Sequence, residues 1–127
     1  MLLVTGGLFQ GQKEYALELM GLSPEQVLEG GNCDFDDAFG ATAINDFHLI
    51  IKRLLEAGWD ANQYAKELIE KNPKAVIIMD EVGCGIVPAK PEERLYRETT
   101  GRISCELAKA SDRVYRVFCG IGTCIKG

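Results

Sequence analysis

Residues 75–88 read AVIIMDEVGCGIVP and indicate the architecture of the whole chain. Residues 76–79 form an apolar run rich in β-branched side chains, without polar alternation. Such a run is typical of a parallel strand covered on both faces, so we predict a central strand here. Asp80 and Glu81 follow at its carboxyl end, before a glycine turn at residues 83–85. Ligands of open α/β sheets bind beyond this end of the strands, although a strand entering an ordinary polar turn has the same pattern.

A second apolar run, LLVT at residues 2–5, leads into the glycine-rich segment GGLFQGQK at residues 6–13 and then into a helical segment at residues 14–20. The order of strand, glycine loop and helix is that of a phosphate-binding loop. In such loops the backbone N–H groups and the helix N-terminus attract phosphate oxygens. The template is G-x-x-x-x-G-K-[ST], and Gly6 and Gly11 fit its spacing.

Two positions of this loop depart from the template. Gln12 stands in place of the lysine, and Lys13 in place of the hydroxyl residue that holds Mg²⁺. The lost charge is substantial, since a charge pair at about 4 Å is worth about 4 kcal/mol at an effective dielectric near 20. Lys13 does not replace it, because the next helical residue points about 100° away. We predict that Gly6, Gly7, Gly11, Gln12 and Lys13 cradle an anion; a plain glycine-rich turn is the alternative.

Strands and helices are predicted to alternate along the rest of the chain. A brief strand ending in Glu29 is followed by one helix over residues 43–57. A capping box at Asp60 then opens a further helix. A long helix is predicted over residues 92–110, with Leu95, Ile103 and Leu107 facing inward. Two strands follow at residues 114–119 and 123–126, and a turn at residues 120–122 connects them. This order predicts a single α/β domain over residues 1–127, with a mainly parallel sheet between helices in three layers.

Charged side chains on the predicted helices offer further candidates. Arg94, Arg97 and Arg102 lie on or near one face of the long helix, where they would clamp phosphate in bidentate fashion. A solvated face paired with neighbouring glutamates is the alternative. His48, the single histidine, lies at the border of an apolar helix face, and we expect it to serve packing rather than catalysis.

Composition limits the classes of partner. With 14 basic and 19 acidic residues the formal net charge is −5, which argues against nucleic acid as a partner. No apolar run approaches the roughly 20 residues of a membrane span and no signal peptide is visible, so we expect a cytoplasmic protein. The five cysteines include no C-x-x-C pair. Cys105 and Cys119 are predicted to be core thiols, and Cys84 to be exposed and reactive.

Residues 75–126 resemble the C-terminal half of the adenosylcobinamide kinase / adenosylcobinamide-phosphate guanylyltransferase family of cobalamin biosynthesis. The resemblance rests on DEVGCGIVP at residues 80–88 and on CGIGTCIK at residues 119–126. Between them it includes Arg94, Tyr96-Arg97-Glu98 and Gly101-Arg102. LLVTGG at residues 2–7, together with Gly11, is similar to the start of the family's phosphate loop.

The resemblance implies a P-loop NTPase fold, a RecA-like parallel sheet, in homo-oligomers that are trimers. It implies binding of GTP or ATP with Mg²⁺, phosphorylation of adenosylcobinamide and transfer of GMP through a guanylylated histidine. By resemblance, Glu29 matches the acid that ends the second core strand, and Glu81 matches a residue of a C-terminal motif. Both glutamates would bind the metal ion. The nucleotide-binding residues would be Gly6, Gly7, Gly11, Gln12, Lys13, Arg94, Arg97 and Arg102.

The sequence also departs from that family. Gln12 and Lys13 do not match its Lys-Ser, and residues 20–26 are too few to contain its guanylylated histidine. His48 follows Glu29 and does not inherit that role. We therefore expect a shortened and degenerate member that binds nucleotide and cobinamide, with neither catalytic centre complete. The alternatives are a non-catalytic nucleotide-binding or oligomer-forming partner protein, and a scaffold that binds no nucleotide.

Overall fold

The computed structural model describes residues 1–82 and 90–127; the predicted glycine turn with Cys84 lies outside these residues. A sheet of six strands runs through the described residues in the order β2-β3-β4-β1-β5-β6. Every neighbouring pair is parallel except β5 and β6. The mainly parallel sheet predicted from the sequence is therefore confirmed. The strands are β1 Leu2–Gly6, β2 Val27–Glu29, β3 Ala43–Asn45, β4 Val76–Asp80, β5 Arg113–Phe118 and β6 Ile121–Lys126.

Helices cover both faces of this sheet and make three layers. One face, with Val4 and Ile78, packs against Ala16 of the first helix. The opposite face, with Leu3 and Ile77, packs against the other three helices. The helices are α1 Gln12–Met20, α2 Phe47–Glu56, α3 Ala61–Lys71 and α4 Pro91–Ala110, and two short 3₁₀ helices span Pro24–Gln26 and Phe35–Gly40.

The apolar run at residues 76–79 is the buried strand that its composition predicted. Its side chains are between 0% and 4% exposed, because helices lie against both faces. Strand β4 lies between β3 and β1, and β1 lies between β4 and β5. Because β1 and β4 are parallel neighbours, both central strands end at the same edge of the sheet.

The helix predicted over residues 43–57 is wrong at its start. Ala43 and Ile44 belong to β3, where they pair with Val76 and Ile77 of β4. Asp46, at a left-handed φ of 52°, separates this strand from α2. A strand of three residues is too short to display alternation, and Ile44 happens to have the helical spacing to the apolar residues of α2.

Three smaller expectations are also wrong. Leu95 is 51% exposed, because the buried face of α4 begins only at Thr99. Cys105 and Cys119 are exposed rather than in the core. The outer side of α4 carries Cys105, whereas Cys119 lies in the β5–β6 turn with a φ of 51°. That turn consists of residues 119–120 instead of 120–122, so β6 begins two residues earlier than predicted.

Across residues 1–82 and 90–127, none of the helices combines the length and the apolar character that a membrane crossing requires.

Candidate functional site

Four neighbouring strands end together at one edge of the sheet. Gly6, the last residue of β1, pairs with Asp80, the last residue of β4. Glu29, the last residue of β2, pairs with Asn45, the last residue of β3. In open parallel sheets this carboxyl edge is where ligands bind. The fold thus brings the predicted glycine loop and the predicted acid Glu29 to the same edge.

The glycine loop, residues 6–13, connects β1 to α1 in a conformation that depends on its glycines. A Cβ on Gly6 would lie 2.5 Å from the carbonyl oxygen of Val117 in the adjacent strand. Gly11 has a φ of +90°, which favours glycine. Gln10 holds the loop against the β5–β6 turn: its carbonyl accepts from Gly120 N at 2.8 Å.

The N-terminus of α1 lies at the carboxyl edge, and none of residues 1–82 and 90–127 caps it with a side chain. Tyr15 N donates to Gly11 O at 3.0 Å, which is the first bond of the helix. The N–H groups of Gln12, Lys13 and Glu14 consequently have no acceptor within the helix. Free amides at the positive end of a helix dipole are the usual groups for binding an anion.

Gln12 is buried and points into the loop. Its Nε2 donates to Gly7 O at 2.7 Å and to Asp80 Oδ1 at 3.0 Å. The residue at the template's lysine position therefore links the loop to the end of β4. A neutral amide placed here contributes no positive charge to a phosphate.

The side chain of Lys13 reaches the end of β2. Its Nζ donates to Glu29 Oε1 at 2.7 Å, and Asn45 Nδ2 donates to Glu29 Oε2 at 2.9 Å. The hydrogen bond to Glu29 raises the pKa of Lys13 above its ordinary value. Burial alone would raise the pKa of Glu29, but the hydrogen bonds from Lys13 and Asn45 outweigh it and lower that pKa. Both side chains are therefore charged at neutral pH.

Glu81 is also bound to a basic side chain. Arg116 of β5 donates from Nε to Glu81 Oε1 at 2.7 Å and from Nη2 to Glu81 Oε2 at 3.1 Å. Such two-point pairing fixes the orientation of a carboxylate. Arg116 had no role in the sequence predictions, although its position in a strand next to β1 places it near this edge.

Asp46, His48 and Asp80 form a further cluster at the same edge. One ligand atom from each lies within 4.8 Å of the others. His48 is buried, and its Nδ1 accepts the backbone N–H of Asp80 at 3.0 Å. Its Nε2 lies 3.6 Å from Asp80 Oδ2. Because Nδ1 accepts a hydrogen bond, the proton of the neutral imidazole is on Nε2.

Burial controls the protonation of this cluster. It lowers the pKa of His48 below the ordinary value, against the opposing effect of the charges on Asp80 and Asp46. It also raises the pKa of Asp80. Burial and the same two carboxylates raise the pKa of Tyr96 on α4 to about 12. Sequence reasoning missed Asp46, although the pattern Asn-Asp-x-His directly after an apolar pair was a signal for it.

The predicted arginines lie on α4, with Arg94 and Arg97 in its N-terminal half and Arg102 just past its middle. Arg94 and Arg102 are exposed and Arg97 is half-buried. Among the described residues, the structure records no hydrogen bond from Arg94 or Arg102 to the glycine loop. Their role in nucleotide binding stays a prediction.

Comparison with known proteins identifies the family to which the chain is similar. The CobU family model, described as cobinamide kinase / cobinamide phosphate guanyltransferase, matches residues 36–125. The bifunctional adenosylcobalamin biosynthesis protein CobU of Salmonella typhimurium is 45% identical over 53 residues, and the protein of the same description from Escherichia coli is 43% identical over 53 residues. Each aligned stretch covers 42% of this chain and 29% of the relative, so less than a third of each relative is spanned. The family match begins after the glycine loop.

Proposed function

The chain belongs to the cobinamide kinase / cobinamide phosphate guanyltransferase family, and we propose that it binds GTP or ATP at its glycine loop in cobalamin biosynthesis. The observation that supports this proposal most directly is the N-terminus of α1 behind Gly11, which no side chain among the described residues caps. Its free amides lie at the carboxyl edge of β1, where phosphate groups bind in open α/β sheets.

Phosphoryl transfer from that nucleotide is expected to be weak or absent. Gln12 supplies an amide where the template supplies a cation, and Lys13 is bound to Glu29. Transfer of a γ-phosphoryl group depends on positive charge around its oxygens. Cobinamide would then be bound without being efficiently phosphorylated.

Mg²⁺ is the ion that the family resemblance implies, and the residues predicted to bind it do not fit as they stand. Glu29 and Glu81 each accept hydrogen bonds from a basic side chain. The template's hydroxyl ligand is replaced by Lys13. Nucleotide binding through backbone amides does not require these carboxylates, and no reaction step is assigned to the ion.

Calorimetric titration with GTP and ATP, each with and without Mg²⁺, tests nucleotide binding. A Gly7→Asp variant would place a carboxylate in the loop, where a Cβ has room because its nearest contact is 3.7 Å away. We expect this variant to lose nucleotide affinity by repulsion of phosphate. Gly40→Asp is the matched control, since a Cβ there meets nothing within 4 Å and the residue lies outside the loop. Absence of binding to the unmodified protein, or equal loss in both variants, would overturn the proposal.

A kinase assay with adenosylcobinamide then separates binding from catalysis. The expected result is nucleotide binding without phosphate transfer above background. Efficient transfer would contradict the expectation that Gln12 cannot replace the lysine, while leaving the nucleotide site itself in place.

An oligomer-forming role is the second candidate, and an exposed apolar edge favours it. Phe118 and Ile121, paired across β5 and β6, are each 71% exposed, and Ile125 is 60% exposed. Strand β6 is the last of the sheet, and unprotected edges of this kind associate. Sedimentation velocity should show a trimer that dissociates in Ile121→Lys and persists in Asn62→Lys, at an exposed position of α3. A monomeric unmodified protein would exclude this role.

A further inference from the structure

We propose that a cavity between the 3₁₀ helix Phe35–Gly40 and helix α3 binds a small quaternary ammonium cation. The cavity has a volume of about 280 Å³, at the small end of the range for ligand pockets. No residue of the glycine loop lines it, so the proposal does not depend on nucleotide binding. The lining combines aromatic rings with carboxylates, and its members are Phe39, Trp59, Tyr64, Asp36, Asp60 and Glu67.

The aromatic side chains of this cavity hold one another in place. The ring centroid of Phe35 is 5.1 Å from that of Trp59 and 6.1 Å from that of Tyr64. The centroids of Phe39 and Tyr64 are 5.1 Å apart. The Tyr64 hydroxyl donates to Phe35 O at 2.6 Å, and burial raises the pKa of Tyr64, so this hydroxyl stays protonated. The rings therefore form one connected surface rather than separate mobile side chains.

Two rings of this surface already bind cations of the protein itself. Arg53 Cζ lies 4.7 Å from the centroid of Phe35, and Lys71 Nζ lies 4.8 Å from the centroid of Phe39. An aromatic face attracts a cation within about 6 Å of its centroid, and tryptophan attracts it most strongly. Within residues 1–82 and 90–127 the structure records no cation over Trp59, which is 53% exposed. The strongest ring of the cavity is therefore accessible to a ligand.

The carboxylates supply the complementary charge. Asp36 and Asp60 are exposed, and Glu67 is half-buried. Lys71 Nζ lies 3.7 Å from Glu67 Oε2 and offsets one of the three negative charges. Asp60 Oδ1 accepts from Gln63 N at 3.1 Å to cap α3, which leaves Oδ2 outside the cap. The lining is therefore negative overall, so it attracts a cation and repels the phosphate groups of a nucleotide.

The aromatic lining also selects the kind of cation. Metal ions such as Ca²⁺ and Mg²⁺ need several oxygen ligands, which ring carbons do not provide. A primary ammonium group is strongly hydrated, and it loses this hydration when it contacts an apolar surface. A quaternary ammonium ion instead presents alkyl groups to the rings and a diffuse positive charge to the carboxylates. Recognition of such ions by aromatic side chains is a common use of cation–π attraction.

Trp59 is the single tryptophan, so its fluorescence reports on the cavity without substitution. Titration of the full chain with choline, at constant ionic strength and without nucleotide, should give a saturable change. Two analogues are the controls: 3,3-dimethylbutan-1-ol has the shape of choline without its charge, and ethanolamine has the charge without the methyl groups. We expect both to bind about fivefold more weakly or less. Equal affinity for the uncharged alcohol would overturn the proposal, and so would the absence of a saturable change with choline.

Calorimetry on two double variants tests the carboxylates. Asp36→Asn Asp60→Asn should weaken choline binding about fivefold or more, while asparagine at position 60 still caps α3. Asp34→Asn Asp37→Asn is the matched control, because it removes the same charge from exposed aspartates that do not line the cavity. Equal loss in both double variants would assign the effect to overall charge and would contradict a site at this cavity.

Substitution of Trp59 separates cation–π attraction from apolar contact. Trp59→Phe retains an aromatic face and should bind choline within about threefold of the unmodified protein, whereas Trp59→Leu should bind about fivefold more weakly or less. Calorimetry measures both, and equal affinities would exclude the aromatic face as the binding surface. If Trp59 fluorescence in the unmodified protein changes with protein concentration alone, the cavity is a contact between copies and the proposal is wrong.

Discussion

Gln12 donates a 3.0 Å hydrogen bond to Asp80, and this bond joins the phosphate-type loop to the end of the central strand β4. The same Nε2 donates to Gly7 O, inside the loop. A position that the P-loop template gives to a cation for phosphate is here occupied by a neutral link between two parts of the protein. The link explains why Gln12 is buried, at 5% exposure, although glutamine is usually a surface residue.

Restoring the template residues should increase nucleotide affinity. In Gln12→Lys Lys13→Ser, we expect the Kd for GTP to fall about tenfold or more, because a charge pair near phosphate is worth more than the 1.4 kcal/mol that a factor of ten requires. Calorimetry measures the change. The single substitutions are controls, and Lys13→Ser alone should not tighten binding. An unchanged Kd in the double variant would count against our placement of the loop.

The Lys13–Glu29 ion pair should contribute to stability only where Glu29 is ionised. The pKa of Glu29 in the folded protein lies below its ordinary value of 4.5. The contribution of the ion pair to stability is therefore complete at pH values above the ordinary pKa of glutamate, and it is lost as the pH falls through the pKa of Glu29 in the folded protein. The side chains are 35% and 43% exposed, so we expect less than about 1 kcal/mol.

Urea unfolding of the unmodified protein and of Glu29→Gln, at neutral and at acidic pH, measures this contribution. The difference between the two proteins should be positive at neutral pH and vanish in acid. A difference that persists unchanged below the folded pKa would exclude the ion pair as its source.

Alanine at Gly6 and alanine at Gly7 should change the free energy of unfolding by very different amounts, although the two residues are adjacent. The new Cβ at Gly6 would lie 2.5 Å from Val117 O and force β1 away from β5. We expect a loss of about 1–3 kcal/mol in the free energy of unfolding. At Gly7 the nearest atom is 3.7 Å away, so the change should stay within about 0.5 kcal/mol. Equal denaturation midpoints for the two variants would refute this reading of the loop.

Alanine substitutions at two leucines of α4 should likewise differ in their effect on the free energy of unfolding. Leu107 is 0% exposed, and Leu107→Ala should cost about 2–5 kcal/mol in the free energy of unfolding. Leu95 is 51% exposed, and Leu95→Ala should cost about 0.5 kcal/mol or less. Thermal or urea unfolding of both variants measures the contrast. A large loss at Leu95 would show that the start of α4 packs against something beyond the described residues.

Patterns within one element were sufficient for most of the fold. The β-branched run of β4, the glycine-flanked β1 and the Asp60 capping box each gave the correct element, because the forces that select them act over a few residues. Strand β3 was missed, because a strand of three residues owes its conformation to pairing with β4 across 30 residues of chain.

The candidate site was predicted in part for the same reason. The glycine loop and Glu29 could be placed from local order, since each follows a recognisable strand. The cluster of Asp46, His48 and Asp80 could not, because Asp80 lies 32 residues beyond His48 and only the β3–β4 pairing makes them neighbours. The sequence indicated His48 as a packing residue, and its hydrogen bond with the backbone N–H of Asp80 could not be predicted from local patterns.

The position of β1 has a consequence for how the chain reaches its native state. Leu2 aligns with Val76 on one side and with Arg113 on the other, so both partner strands of β1 lie far from it along the chain. Closing such large loops precedes any gain from pairing, which slows folding. During that interval the apolar β1 segment is exposed, and we expect refolding yields to fall as protein concentration rises.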